Sequence, residues 1–266
     1  MVMHSGASSY GRRVWTADPV KKSDGASVTL RLDSPDGDGG YPGAMKIKAT
    51  YRFTNDNALR MDIEATTDRA TIFNPTNHIY FNLSGNSTVP VWDQVLQVNA
   101  DTIMVNDPPK GPTGEIVPVA GKPSDFTKPT PIKERLALAL DPAFADQNNA
   151  PPIPPGMIRS FNVTLVVNDN ARGLDKVAAT LRDPATGRVL IYRTTETTIQ
   201  VFTPAAEREP LMSDAGKPFT RVPALALEAE HLPESANFPQ FPSTTLRPGQ
   251  TFRSTTIYAF STGAMH

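Results

Sequence analysis

The chain alternates apolar and polar positions over many short runs, and this period of two is typical of strands with one buried and one solvated face. Clear examples are Val28 to Asp33, Met45 to Phe53 and Leu59 to Thr66. The last two runs are separated by Thr54-Asn55-Asp56-Asn57-Ala58, whose turn-forming residues predict a β-hairpin.

Further short elements follow along the chain. Ile132 to Leu140 is the one run with helical spacing, and Asp141 to Pro155 is so rich in proline and asparagine that we expect a surface loop. The pattern therefore predicts an all-β chain with few short helices. Strands are predicted at Trp92 to Ala100, Thr102 to Val105, Val177 to Arg182, Val189 to Arg193 and Ile199 to Thr203, with breaks at Ser34 to Gly43 and Asp183 to Arg188.

Composition agrees with this picture. The 266 residues include 26 prolines and 17 glycines, which favours short strands joined by many turns over long helices. Since β-sandwiches of this length often form one unit, we expect residues 1–266 to be a single domain.

Charge and cysteine content narrow the class of partner. Lysine and arginine number 26 against 27 acidic residues, so there is no basic field for nucleic acid or an acidic membrane. The absence of cysteine excludes disulfides, thiolate nucleophiles and cysteine-bound metals. No apolar run approaches the ~18 residues of a membrane helix, and the first residues lack a signal-peptide pattern. We expect a soluble protein, with the cytoplasm favoured and the oligomeric state open, that binds a neutral small molecule.

Two residues are candidates for acid/base chemistry. His78 lies among amides, a hydroxyl and aromatic residues in the stretch Asn74 to Gly85, and an imidazole with a pKa of about 6.5 both holds and releases a proton near neutrality. A purely structural histidine is the alternative. Glu228 lies in an apolar strand, where an unpaired carboxylate is unfavourable, so it needs a partner or a function.

The stretch Thr76 to Gly85 resembles the TNHxYFNLxG signature of the aldose 1-epimerases, also called galactose mutarotases. The resemblance extends from His4 to Phe260 and implies a galactose mutarotase-like β-supersandwich of large antiparallel sheets. The other matching segments are Met3 to Trp15 with LHGG…GF…R.W, Ser34 to Gly43 with SPDGEEGYPG, Lys110 to Ile116 with a PTGEI turn, and Leu225 to Pro239 with LETQ.FPDAPN.P.

The resemblance implies the reaction and the residues that perform it. An aldose 1-epimerase interconverts the α and β anomers of a free aldose by opening and reclosing the ring. By position, Glu228 would take the proton of the C1 hydroxyl, His78 would protonate the ring oxygen, and His4 would assist. Neither a metal nor a nucleotide cofactor is required.

The resemblance also implies binding residues, with one departure from the family pattern. Asn77 and Phe202 are candidates for sugar contacts, Phe202 because an aromatic ring can stack on a pyranose face. Asn162 stands where the family has an aspartate that contacts a substrate hydroxyl, so it is a neutral substitute for that contact. Glu230 and His231 are expected to belong to the scaffold or rim.

Several alternatives remain at the level of sequence. One is a catalytically weakened or inactive sugar-binding member of the same fold, because Asn162 replaces an aspartate. A second is epimerisation of a phosphorylated sugar, which would need an arginine cluster. A third is a metal site built from His4, His78 and Glu228.

The family pattern has further strands before the segment that carries His4, which is the fourth residue here. We therefore expect an N-terminally short form whose turnover is well below that of a full-length relative.

Overall fold

The computed structural model describes residues 9–86, 88–107, 111–139, 161–204, 212, 216 and 224–263. Strands dominate these residues, which confirms the all-β prediction. Numbered in chain order, the elements are β1 (Thr16–Lys22), β2 (Gly25–Ser34), β3 (Met45–Thr54), β4 (Ala58–Thr67), β5 (Thr71–Ile72), β6 (Tyr80–Phe81), β7 (Val95–Val98), β8 (Thr102–Asp107), β9 (Gly111–Pro118), β10 (Thr130–Pro131), α1 (Ile132–Ala139), β11 (Asn162–Val166), β12 (Ala179–Arg182), β13 (Arg188–Thr194), β14 (Thr198–Phe202), β15 (Leu225–Glu230), β16 (Thr245–Leu246) and β17 (Phe252–Thr262).

The chain forms two compact units, residues 1–75 with 234–259 and residues 76–233 with 260–266. In the first unit, β1, β2, β3, β4 and β17 pair antiparallel in that order, and β5 pairs with β16. Its core takes alternate residues from the predicted hairpin, such as Met45 and Ile47 from β3 and Met61 and Ile63 from β4. The number of domains stays a prediction.

The second unit contains two sets of antiparallel strands. One set pairs in the order β13, β12, β7 and β10, and the other is a six-stranded sheet with the order β6-β15-β14-β11-β8-β9. The two sets meet in an apolar core, where the buried Tyr192 of β13 donates a hydrogen bond to the main-chain oxygen of Leu227 on β15, at 3.2 Å. The candidate site lies on this six-stranded sheet.

The expected turn at Lys110 to Ile116 is wrong, because Gly111 to Pro118 forms strand β9. Although this segment contains proline and glycine, it can form a strand because it lies at the sheet edge, where a missing hydrogen-bond donor is tolerated. A register shift between Met104 and Asn106 of β8 and the positive φ of 79° at Gly114 accommodate the irregular residues. The loop expected at Asp141 to Pro155 lies outside the described residues.

Candidate active site

One face of the six-stranded sheet is apolar and the other is polar, because side chains alternate along each strand. Ile199 and Val201 of β14 and Leu225 and Leu227 of β15 are fully buried. The residues between them point to the opposite face, which therefore carries the functional side chains.

Strand register arranges this polar face in rows. Gln200 of β14 pairs with Glu228 of β15 on one side and with Thr164 of β11 on the other. The neighbouring row contains Asn162 of β11, Phe202 of β14, Ala226 of β15 and Tyr80 of β6. Register thus brings residues from distant parts of the chain side by side.

His78 reaches Glu228 from the segment that leads into β6. The pairing of Tyr80 with Ala226, continued by two residues, would place position 78 opposite position 228. The Nε2 atom of His78 lies 3.5 Å from Oε1 of Glu228, with side chains 31% and 10% exposed. A half-buried imidazole thus contacts a nearly buried carboxylate that is open to a ligand on one side.

Aromatic rings surround this pair. The ring centroid of His78 lies 4.7 Å from that of Tyr80 and 5.6 Å from that of Phe202. Tyr80 is 47% exposed, and Phe202 is half-buried. Exposed ring faces beside polar groups are suited to the mixed polar and apolar surface of a sugar.

Hydrogen bonds link the row residues to each other. Thr164 donates its hydroxyl to Oε1 of Gln200, and Gln200 donates its amide to Oδ1 of Asn162, each at 2.5 Å. The exposed Asn162 accepts this bond through Oδ1, and its amide group adds two N–H donors to the polar face.

The other amides of the motif hold the backbone. Oδ1 of Asn77 accepts a hydrogen bond from the main-chain nitrogen of Ile79 at 3.0 Å, which fixes the turn that carries His78. Asn82 accepts from the buried Gln94 at 2.8 Å and donates to the main-chain oxygen of Val89 at 2.8 Å. These contacts give Asn82 a structural role in positioning the motif.

Burial controls the charge of the site. Removal from water raises the pKa of Glu228 to about 7. Burial and then the Glu228 carboxylate raise the pKa of Tyr80, so its phenol stays protonated at neutral pH. A carboxyl group that ionises near neutrality is suited to accept and return a proton.

The structure thus brings together four of the sequence candidates, Glu228, His78, Phe202 and Asn162. Asn77 lies in the same segment as His78, and His4 lies outside the described residues. Sequence reasoning missed Gln200 and the contact of Tyr80 with His78. The alternation of β14 was visible, and it could have placed Gln200 on the face of Phe202.

The polar face of this antiparallel sheet carries a histidine–carboxylate pair surrounded by aromatic and amide side chains. This arrangement defines the class as a β-sheet protein with an open acid/base site. The family pattern described as aldose 1-epimerase matches residues 1–259, and the chain belongs to this family. Family membership confirms the predicted family and the epimerase class of activity on a small-molecule aldose.

Comparison with individual known proteins shows the same similarity to aldose epimerases. The chain is 30% identical to the galactose mutarotase of Mus musculus over 259 residues, which cover 97% of this chain and 69% of the relative. It is 31% identical to the aldose 1-epimerase of Escherichia coli K12, with coverages of 97% and 70%. A GalM/aldose epimerase homologue from C. elegans superposes with a TM-score of 0.80 at 25% identity, over 99% of this chain and 73% of that one. The predicted fold class is confirmed.

The described residues were also compared with the patterns of metal sites and of membrane-spanning helices. They contain no group of three or more His, Cys, Asp and Glu side chains arranged to hold a metal ion. None of the helices in these ranges combines the length and apolar character needed to cross a bilayer.

Proposed function

We propose that this protein interconverts the α and β anomers of a free hexose, glucose or galactose, with Glu228 as general base and His78 as general acid. The observation that carries the proposal is the approach of His78 Nε2 to Glu228 Oε1, at 3.5 Å, on the open polar face of the sheet. Two groups this close can reach the C1 hydroxyl and the ring oxygen, which are bonded to the same carbon.

Glu228 and His78 together account for every proton that moves in the reaction. The Glu228 carboxylate takes the proton of the C1 hydroxyl, the bond between C1 and the ring oxygen breaks, and the ring oxygen takes a proton from the His78 imidazolium. Rotation about the C1–C2 bond presents the other face of the aldehyde. Reclosure returns one proton to His78 and one to the new C1 hydroxyl, so the enzyme is regenerated without net change.

The surrounding residues would bind the sugar. Phe202 and Tyr80 offer ring faces to the apolar side of a pyranose. Gln200 and Asn162 lie one and two strands away from Glu228 and would contact sugar hydroxyls. Asn77 would hold the segment of His78 in place, and His4 remains a predicted contact.

The decisive experiment is the substitution Glu228→Gln. The amide side chain keeps the shape of the carboxylate but cannot accept the proton, so we expect a loss of about 10²-fold or more in rate, the usual scale of a positioned base. Polarimetry of fresh α-D-glucose and α-D-galactose measures the rate. Glu115→Gln, the same change on the exposed face of β9, is the matched control and should leave the rate unchanged.

The pH profile gives an independent check. Since Glu228 must be ionised and its pKa is about 7, kcat/KM should fall as the pH drops through about 7. An E228Q variant with the parental rate would place the base elsewhere.

Asn162 favours one second candidate, a weakened or inactive sugar-binding protein on the same fold, because this residue removes a charged contact. This candidate predicts calorimetric binding of a hexose with no acceleration of its mutarotation.

A further inference from the structure

A buried threonine lies beside the proposed sugar-binding residues, and the chemistry described above does not use it. Thr164 of β11 pairs in register with Gln200 of β14, and Gln200 in turn pairs with Glu228 of β15. Because residues paired across antiparallel strands point to the same face, the three side chains form one row on the polar face. Thr164 is 7% exposed, whereas Gln200 is half-buried and Asn162 is exposed.

The Gln200 amide is held at both ends. Its Oε1 atom accepts the hydroxyl of Thr164, and its Nε2 atom donates to Oδ1 of Asn162, each at 2.5 Å. Asn162 and Thr164 are separated by one residue on β11, so the Gln200 side chain bridges two positions on the same face of that strand. In the part of the chain that the structure describes, the Gln200 side chain makes these two hydrogen bonds. One of its two amide hydrogens therefore remains available to a ligand on the polar face.

Rotation of the Gln200 amide by half a turn would exchange its donor and its acceptor. The NH2 group would then point at Thr164, and the threonine hydroxyl would accept a hydrogen bond instead of donating one. The hydroxyl hydrogen would lose its acceptor, because Oε1 of Gln200 is the one hydrogen-bond partner of this hydroxyl among the described residues. A buried donor without an acceptor is unfavourable. Thr164 therefore favours the orientation in which Nε2 of Gln200 faces Asn162.

Asn162 does not select this orientation. Its side chain carries both an oxygen and an NH2 group, so it can turn and bond either end of the Gln200 amide. An aspartate would bond only the NH2 end, because an ionised carboxylate has acceptors alone. With a neutral residue at position 162, the buried hydroxyl of Thr164 is the group that fixes the amide.

We propose that Thr164 is a positioning residue for substrate binding. Its hydroxyl fixes the orientation of Gln200, which then presents an N–H donor, and not a carbonyl oxygen, to a sugar hydroxyl next to Glu228. Thr164 contacts no substrate itself and acts through Gln200. This role rests on the proposed function, in which Gln200 contacts a hexose beside the base. It concerns binding, since Gln200 transfers no proton in the proposed reaction.

The test removes the hydroxyl of Thr164 and then restores it. Thr164→Val keeps the shape of the side chain without the hydroxyl, and Thr164→Ser keeps the hydroxyl on a smaller side chain. Thr180→Val is the matched control, because Thr180 is a buried threonine of β12 that lies outside the site. Urea unfolding of every variant checks that the fold is retained.

Steady-state polarimetry with α-D-glucose and α-D-galactose gives the main readout. In T164V we expect KM to rise about fivefold, the scale of one neutral hydrogen bond, with kcat within about twofold of the parent. T164S should bring KM back to within about twofold of the parent. T180V should leave both constants unchanged. A general disturbance of β11 would not be reversed by a serine.

Two second-site variants identify the route of the effect. In the Gln200→Ala background, T164V should change KM by less than about twofold, because no amide remains to be oriented. In the Asn162→Asp background, the effect should also shrink to about twofold or less, since the carboxylate orients the Gln200 amide by itself. An equal effect of T164V in all three backgrounds would show that Thr164 acts on the strand and not through Gln200.

Hydrogen exchange of the side-chain amide observes Gln200 without any sugar. The resonances of this amide are identified in nuclear magnetic resonance spectra by their absence in Q200A. We expect solvent exchange of its hydrogens to be about fivefold faster in T164V than in the parent, because the amide loses one of the two contacts that hold it. T164S should restore the slow exchange.

An amide exchange rate in T164V equal to that of the parent would overturn this role, as would a parental KM or a serine variant that behaves like T164V. Failure of the proposed function looks different. E228Q would then keep the parental rate, or the parent would not accelerate mutarotation at all, while the exchange of the Gln200 amide would still respond to Thr164.

Discussion

Asn162 illustrates how one atom changes what a site can recognise. Its Oδ1 atom accepts the amide of Gln200, and the side chain then presents a donor to the open face. An aspartate at this position would accept the same bond from Gln200 and still have oxygen lone pairs for a sugar hydroxyl. Asn162 therefore offers a ligand an amide donor beside its neutral oxygen, whereas an aspartate would offer only acceptors.

Asn162→Asp should strengthen sugar binding more than it raises turnover, because in the proposed mechanism this residue contacts a sugar hydroxyl and transfers no proton. A hydrogen bond to a charged group exceeds a neutral one by about 1 kcal/mol, so KM should fall about fivefold with a smaller change in kcat. Steady-state polarimetry measures both constants. Asn170→Asp, the same change at an exposed turn position, is the control. Parental constants in N162D would mean that position 162 does not contact the sugar.

At the scale of elements, the motif of His78 depends on a strand from the other sheet of its unit. Arg188 of β13 donates Nη1 to the main-chain oxygens of Leu83 and Ser84, at 2.9 and 3.0 Å. Gly85 follows with a positive φ of 70°, and a Cβ atom there would lie 3.2 Å from the same Nη1. The turn is therefore fixed by both its backbone conformation and its guanidinium contact.

Gly85→Ala should lower the free energy of unfolding by about 1–3 kcal/mol, since it combines a left-handed alanine with crowding of Arg188. Urea unfolding measures the change. Gly121→Ala is a matched control, because Gly121 has a φ of 75° and open space around the added carbon. Equal losses in the two variants would show that the Arg188 contact contributes nothing.

The sequence predicted those elements whose signals are local. The β12–β13 hairpin was predicted because Asp183 to Arg188 carries turn residues between two apolar runs. β1 was missed because all its residues are exposed and Pro19 interrupts the pattern, so no buried face marks it. β9 was missed because pairing at a sheet edge compensates for residues that normally break strands.

The candidate site was predictable only in part, because most of its contacts join strands far apart in the chain and leave no local signal. His78 and Glu228 emerged through family resemblance, whereas the pairing of Glu228 with Gln200 depends on register between strands far apart in the chain. The contact of His231 with Glu196 joins the ends of two strands, and single-sequence patterns carry no signal for it.

At the scale of the whole molecule, the carboxyl pair on β15 should affect stability. The pKa of Glu228 is about 7 and that of Glu230 about 8 in the folded chain, against an ordinary value of 4.5. Between these values the folded chain holds more protons than the unfolded chain, so the free energy of unfolding should fall as the pH rises from about 5 to about 8.

Urea titrations across this range should show the decline, and E228Q/E230Q should show a shallower one. The carboxyl group of Asp62 should have the opposite effect on the pH dependence of the free energy of unfolding, and at lower pH. Although burial opposes it, hydrogen bonds from Arg60 and Thr255 lower the pKa of Asp62, so its contribution is lost only in acid. Identical slopes in the parent and the double variant would contradict the assignment of these shifts.

The row arrangement of the site also constrains how the gene can change in length. Adding or removing one codon within β14 would turn Gln200 and Phe202 away from Glu228 and direct apolar neighbours to the polar face, since side-chain direction reverses at every residue. A codon added in the turn between β12 and β13 would leave every row intact. Length variation among descendants of this protein should therefore accumulate in its turns, while its site strands keep a fixed number of residues.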